Sequence, residues 1–303
     1  MHKTSLEKED NMEDKKVQSI SQVAVVGSGI MGSGIAQVIA QAGYNVTIYD
    51  AYQNSLDKSF EQMKSNIQKW CDRTGKSKEA VSIMARLQKA SSIEEISHVQ
   101  LVIEAITEKL EAKQQLFSQL ENLVDKHTIL ASNTSGISIT KIAESCINKD
   151  RVVGTHFFNP AHKMALVEII SGDHTSLQTI DSVEEFIKSI GKDPVKVKDV
   201  PGFIVNRIIT PMVNEAMLSY EHGYATKEDI DTALKKGMGH PMGPLELSDY
   251  IGLDTLLYFM DHVYEETGNE AYKPGELLRN MVRNGELGVK SGKGFYQYEK
   301  VKI

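Results

Sequence analysis

Apolar positions in the first two thirds of the chain come as short runs separated by stretches of helical period. Val23-Ala24-Val25-Val26 runs straight into Gly27-Ser28-Gly29-Ile30-Met31-Gly32. Gly34 to Ala42 then reads as a helix closed by Gly43, and Val46-Thr47-Ile48-Tyr49 as a second strand ended by Asp50. From Gln53 to Gln88 the pattern is long, charged and helical (Leu56, Phe60, Met63, Ile67, Trp70), broken at Thr74-Gly75 and resumed at Val81, Met84 and Leu87. This predicts a helical hairpin, about 53–90, inserted after the second strand. Val99 to Ala105 is a buried-strand run, Glu108 to Val124 an amphipathic helix (Leu110, Leu116, Leu120, Leu123), and Thr128 to Ala131 another strand. Two further apolar runs flank the polar turn Asn159-Pro160-Ala161-His162-Lys163. Ser176 to Ile190 follows as a helix stopped by Gly191, and Pro194 to Val197 as a short strand. Alternating strands and helices of this kind predict an α/β fold with a doubly wound sheet and an antiparallel addition. After the linker Lys198-Asp199-Val200-Pro201 the pattern is helical only, with helices at Phe203–His222, Lys227–Lys236, Pro244–Glu265 and Pro274–Arg283. The expected organisation is a sheet domain over 20–199 and an all-helical domain over 200–303, closed by the basic, glycine-rich segment Lys290 to Tyr296.

Composition narrows the function classes. The chain has 303 residues, 41% of them apolar and 25% charged, which suits a globular protein of two ordinary domains. A net charge of −7 gives no basic field for nucleic acid, though it leaves room for a local basic groove. Cys71 and Cys146 stand in unrelated contexts, as expected for reduced thiols in a cytoplasmic chain. No apolar run approaches the roughly 20 residues that span a bilayer, and no metal site is expected. Residues 1–19 mix Lys with Glu and Asp, lack an apolar stretch and read as a disordered tail, with Met12 as an alternative start.

The first strand, glycine turn, helix, second strand and terminal acid form a Rossmann-like dinucleotide fingerprint. Gly27 permits the tight turn, Gly29 lets backbone approach a pyrophosphate, and Gly32 lets helix and strand pack closely. The helix start, at Ile30 and Met31, supplies N–H groups and partial positive charge to the phosphates. Asp50 can take both ribose hydroxyls and would repel a 2′-phosphate, so NAD is expected over NADP. Glu104 interrupts a buried strand at its C-terminal end, where ligands bind in open α/β sheets. The loop Ser132-Asn133-Thr134-Ser135-Gly136 follows the next strand, with Ser135 or Ser138 able to cap the helix after it. A hairpin centred near Ala161 would set His156 opposite Leu166 and make Glu168 its diagonal neighbour, roughly 7–8 Å away between Cα atoms. A carboxylate-held imidazole is a general base of fixed tautomer. The plainer alternative leaves Glu168 in solvent and His156 as a satisfied core residue. Lys69, Arg73 and Lys76 cluster near the tip of the inserted hairpin, either as a solvated face or as a grip on a phosphate-bearing substrate.

Six motifs then occur in order: Gly27-Ser-Gly-Ile-Met-Gly32, Glu104-Ala-Ile-Thr-Glu108, Ser132-Asn-Thr-Ser135, His156-Phe-Phe-Asn-Pro160, Pro201-Gly-Phe-Ile-Val-Asn-Arg207 and Gly239-His-Pro-Met-Gly-Pro244. With them the chain closely resembles the L-3-hydroxyacyl-CoA dehydrogenases, specifically the stand-alone bacterial 3-hydroxybutyryl-CoA dehydrogenase type, over roughly Ser21 to Tyr298. The resemblance implies NAD-dependent, reversible oxidation of an (S)-3-hydroxyacyl-CoA, of short chain, to the 3-ketoacyl-CoA. It implies that His156 is the catalytic base, that Glu168 orients it, and that Ser135 and Asn206 hold the substrate oxygen, Asn206 by closure of the helical domain. It also implies that Asp50, Glu108, Lys113, Ser135, Asn159 and Lys290 contact NAD alongside the glycine turn. Relatives carry a serine and a lysine for CoA on the inserted hairpin, where this chain has Asn66 and Arg73. Each terminal helix has an apolar face, and the set is too large to bury in one small bundle, so a homodimer through this domain is expected. Two other readings remain at this level: a dehydrogenase of a free hydroxy or sugar acid on the same fold, and a non-catalytic descendant. The remaining residues leave no room for a second catalytic domain.

Overall fold

The structure is a computed structural model that describes residues 20–299, so the expected tail at 1–19 lies outside the described residues. The chain divides into two compact units, one ending at Asp199 and one beginning at Val200. The first unit opens with β1 (Gln22–Val26), α1 (Ile30–Gln41), β2 (Asn45–Tyr49), α2 (Gln53–Arg73), α3 (Ala80–Ala85) and β3 (Leu87–Lys89). It continues with β4 (Leu101–Glu104), α4 (Leu110–Leu123), β5 (Ile129–Ser132), α5 (Ile139–Ala143), β6 (Val152–Phe157), β7 (Leu166–Ser171), α6 (Leu177–Ser189) and β8 (Asp193–Lys198). The strands form one sheet in the order β3-β2-β1-β4-β5-β6-β7-β8. All neighbours are parallel except β6 and β7. β4 and β5 are buried along their whole length, as continuous apolar strands of a two-faced parallel sheet must be.

The expected α/β architecture is present, with three local differences. The inserted hairpin has one long arm, α2, which buries Leu56, Phe60, Met63, Ile67 and Cys71 at helical spacing. Its second arm is only α3, and Leu87, read as helical, instead begins β3 beside β2. Second, α1 starts at Ile30, inside the glycine fingerprint, rather than at Gly34. Third, the β6–β7 hairpin pairs His156 directly with Glu168, and not with Leu166. The chain between them is no tight turn. Residues 158–165 loop out, with Pro160 O accepting from the N–H groups of Lys163 and Met164, so the register moves by two.

The second unit holds α7 (Val205–Glu221), α8 (Lys227–Gly237), α9 (Pro244–Ile251), α10 (Leu253–Thr267) and α11 (Glu276–Arg283) around Val213, Met217, Leu245, Leu253, Leu256, Met260 and Leu278. The helix expected over Pro244–Glu265 is two helices. Gly252 breaks it with φ +104, a conformation that side-chain-bearing residues rarely take. Lys290 lies across this break, where a Cβ on Gly252 would meet its Nζ at 3.0 Å. Asp249 on α9 accepts from the N–H groups of Phe295 and Tyr296, both at 2.9 Å, and from the Tyr298 hydroxyl, which pins the glycine-rich C-terminal segment.

Candidate active site

Where β1 ends, the chain turns through Gly27 at φ +103. A Cβ on Gly27 would lie 2.5 Å from Ala105 O, and one on Gly32 would lie 1.9 Å from Gly27 O, so packing forbids side chains at both. Gly29 differs. Its φ is −63, and a Cβ there would meet nothing within 4 Å. The protein itself therefore does not need glycine at 29, whereas a ligand lying on the backbone does. An open cleft of about 560 Å³ adjoins it, lined by Val26, Gly27, Gly29, Asp50, Tyr52 and Ile106 among others. The first turn of α1 leaves the N–H groups of Ile30, Met31 and Gly32 without intrahelical carbonyls. Glycine backbone, a helix start and an acid at the end of β2 fit a dinucleotide.

Asp50 is also part of the turn. Its Oδ2 accepts from the Ser28 N–H and the Ser28 hydroxyl, both at 2.7 Å, and its Oδ1 accepts from Tyr52 N–H at 2.8 Å. Three of the carboxylate's four acceptor positions are thus engaged within the protein. Ser28 and Tyr52 were not expected to matter. The signal was available in Ser28, a hydroxyl placed between the two glycines of the fingerprint.

A buried polar chain organises the adjoining loop. Lys113 on α4, only 1% exposed, donates to Glu104 Oε1 at 2.6 Å and lies 3.2 Å from Glu108 Oε2. Glu104 also accepts from the Ser132 hydroxyl at 2.6 Å and from Ile106 N–H at 2.7 Å. Glu108 Oε1 accepts from the Thr134 hydroxyl at 2.6 Å and from Ser135 N–H at 2.8 Å. Lys113, expected as a cofactor contact, is buried and pairs with Glu108, whose side chain is 41% exposed. Glu104 is the hub and is fully buried. Its place inside an apolar strand was visible in the sequence, but its ion pair with Lys113 on α4 was not. Ser138 caps α5, accepting from Lys141 N–H, so Ser135 is left to the loop.

His156 and Glu168 are both buried, and His156 Nδ1 lies 2.7 Å from Glu168 Oε2. An ionised carboxylate only accepts, so Nδ1 is the donor in this pair. The Phe158 ring leans on the imidazole with centroids 4.4 Å apart. Asn133 Oδ1 accepts from Phe157 N–H at 2.9 Å, which ties the Ser132–Ser135 loop to the residue after His156. The first unit thus holds two groups, His156 with Glu168 and Ser135 with Glu108 and Lys113, joined through Asn133, with exposed Asn159 on the loop after β6. Asn66 and Arg73 lie on α2, seven residues apart and hence on one face. Asn66 Oδ1 accepts from Gln62, and Arg73 is exposed. Burial first, then the charges of Lys163, Arg73 and Lys192, hold the His162 imidazole below its usual pKa. In the second unit, Asn206 is in the first turn of α7, and Lys290 forms an ion pair with Asp254 at 2.5 Å.

A dinucleotide cradle at the switch of a parallel sheet, beside a buried imidazole of fixed tautomer, defines the class: a nicotinamide-dependent oxidoreductase of the doubly wound type. Residues 22–200 match the NAD-binding domain of 3-hydroxyacyl-CoA dehydrogenase and residues 202–298 match that family's C-terminal domain, so the chain belongs to the 3-hydroxyacyl-CoA dehydrogenase family, with NAD as cofactor. It is 45% identical over 281 residues to 3-hydroxybutyryl-CoA dehydrogenase of Clostridioides difficile, covering 92% of this chain and 100% of that one. It is 41% identical to the human mitochondrial hydroxyacyl-coenzyme A dehydrogenase, covering 92% of each chain. Among solved structures, (S)-3-hydroxybutyryl-CoA dehydrogenase from Ralstonia eutropha superposes with a TM-score of 0.90 at 43% identity, covering 93% of this chain and all of that one.

Proposed function

We propose that the protein catalyses the reversible oxidation of a short-chain (S)-3-hydroxyacyl-CoA, 3-hydroxybutyryl-CoA in the first place, to the 3-ketoacyl-CoA, with His156 as general base. The single observation that supports this most is the buried pair of His156 Nδ1 and Glu168 Oε2 at 2.7 Å. NAD, when bound, supplies the hydride acceptor. His156 Nε2 takes the proton of the C3 hydroxyl, and the carboxylate of Glu168 stabilises the imidazolium that results. In reduction the same imidazolium returns the proton. Ser135 and Asn206 hold the substrate oxygen, and Asp50, Glu108, Asn159 and Lys290 serve the cofactor. Asn66 and Arg73 serve the CoA moiety, and a guanidinium on an exposed helix end can grip a phosphate bidentately. Cys71 and Cys146 are buried free thiols, which supports a reducing, cytoplasmic setting.

The test is NADH oxidation followed by absorbance, with acetoacetyl-CoA as substrate and with NADPH, free acetoacetate and a longer 3-ketoacyl-CoA run beside it. Fast turnover with NADH and the short thioester alone is the expected result. Equal turnover of free acetoacetate would move the assignment to hydroxy-acid dehydrogenases. No turnover of any thioester, in protein that still binds NADH, would overturn it.

A further inference from the structure

Lys192 is a buried lysine with no part in the proposed chemistry. It follows the stop of α6 at Gly191 and precedes β8, and it is only 9% exposed. Its Nζ donates to Ala161 O and to Met164 O, each at 2.7 Å. Both carbonyls belong to the loop 158–165 that joins the strand of His156 to the strand of Glu168. The next residue repeats the tie, since Asp193 N–H donates to Ala165 O at 2.9 Å. Ala161 is buried, and a Cβ on Gly34 of α1 would lie 3.3 Å from the Ala161 Cβ, so the tied loop backs directly onto the dinucleotide helix. Burial pushes the Lys192 ammonium below the usual lysine value, against the opposing charge of Asp193. Desolvating a cation is costly, and the fold accepts that cost here to hold two loop carbonyls.

We propose that Lys192 is a positioning residue that clamps the loop 158–165 against α1 and thereby sets where Asn159 stands toward the cofactor. The His156–Glu168 pair is held separately, by strand pairing from Gly154↔Ile170 to Phe157↔Val167. Losing the clamp therefore releases the loop and leaves the pair in place. The functional consequence rests on the reading of Asn159 as a dinucleotide contact.

The experiment compares Lys192→Met, which keeps the stem and removes the donors, with Lys192→Arg, which restores a buried cation with several N–H groups. NADH affinity is read by fluorescence titration, loop order by amide exchange of peptides covering 152–171, and turnover as kcat and KM across pH. In K192M the NADH dissociation constant is expected to rise about tenfold or more, the size of a lost charge-assisted hydrogen bond. Exchange should quicken in the loop while β6 and β7 stay protected, and the pH profile of kcat should keep its shape. K192R should recover most of the affinity and protection. Unchanged NADH affinity and loop protection in K192M would overturn the proposal, and so would protection lost equally from β6 and β7. If K192M does not fold, the unmodified protein decides: Lys163 and Met164 amides that exchange as fast as open coil would also overturn it. The NADH titration needs no acyl substrate, so a failed thioester assignment leaves this test intact. Asn159→Ala run beside it shows separately whether Asn159 is the contact: unchanged NADH affinity in that variant, with a loop freed in K192M, would remove Asn159 and leave the clamp.

Discussion

At His156 the two ring nitrogens are divided between structure and chemistry. Nδ1 faces Glu168 Oε2 at 2.7 Å, and the proposed reaction assigns the proton transfer to Nε2. His156→Ala is expected to lower turnover of acetoacetyl-CoA by about 10²–10⁴-fold, the usual range for a general base, with NADH affinity retained. A loss below about tenfold in steady-state kinetics would remove His156 from that role. Asp50 carries a double duty that the sequence did not display, because it braces Ser28 inside the glycine turn as well as facing the cleft. Asp50→Ala should weaken NADH and narrow the gap to NADPH, since it removes the carboxylate that repels a 2′-phosphate. Titrating both cofactors against the variant checks this, and an unchanged selectivity ratio would exclude Asp50 as its source. Alternation put Glu168 on the face of His156 without excluding a solvent-facing Glu168, and the expected register was two residues out. A shift of two preserves the face of every side chain, so Glu168 stayed on the face of His156 and moved from diagonal to opposite.

Between elements, the polar chain from Ser132 through Glu104 and Lys113 to Glu108 and Ser135 ties β4, α4 and the loop after β5 into one body. Glu104→Gln keeps the size of the hub and removes its charge, leaving Lys113 with only Glu108 at 3.2 Å. Breaking a buried pair from one side costs roughly 3–5 kcal/mol, and the surviving partner places this case near or below the lower figure. Urea unfolding should show that loss, and Lys113→Met added to Glu104→Gln should recover part of it, because no buried charge then lacks its partner. On the far end of α4, Glu121 accepts from Ile147 N–H and Asn148 N–H, both at 2.7 Å. Burial alone would raise its carboxyl, but these donors and the Arg151 charge hold it below the ordinary 4.5. The unfolded chain then binds more protons than the native one below that value, so this contribution is present above about pH 4.5 and is lost as pH falls through the native value. Glu121→Gln should flatten the acid limb of stability measured by denaturant unfolding between about pH 5 and 3. The parallel strands and main helices were readable because burial on both faces forces continuous apolar runs. Short pieces were not: β3 has three residues, too few to show a period, and it is a strand because β2 offers it an edge. The break at Gly252 was hidden because the apolar pattern of α9 continues into α10, while only backbone conformation marks the join.

On the scale of the whole molecule, the open question is what covers the apolar surface of the helical unit. Ile208 is 64% exposed, Tyr250 61%, Tyr258 70% and Met238 71%, and Ile204 stands one turn before Ile208 just ahead of and on α7. Scattered single apolar residues are ordinary on a surface, but large ones on helices packed against one another, as Ile208, Tyr250 and Tyr258 are on α7, α9 and α10, are candidates for an interface. The chain itself offers the simplest occupant, since a two-fold pair buries the same patch twice with one set of side chains. The protein is therefore expected to sediment as a homodimer, at twice the 33.7 kDa of the chain. Ile208→Asp would bring a charge to each side of such an interface, where it would meet its own copy or an apolar neighbour and lose its water. The variant should shift to the monomer at about 10 µM, a concentration at which a contact weakened by several kcal/mol no longer holds. Its NADH affinity should stay within about twofold, because the fingerprint from Gly27 to Asp50 belongs to the other unit. Turnover and melting temperature separate the two ways a dimer matters. A monomer that melts early with normal kcat uses its partner for stability alone. One that melts normally but turns over slowly depends on the partner to hold α7, and with it Asn206, in place. An unmodified protein that sediments as a monomer at the same concentration would sink the dimer and leave Ile208 as an exposed residue without a partner.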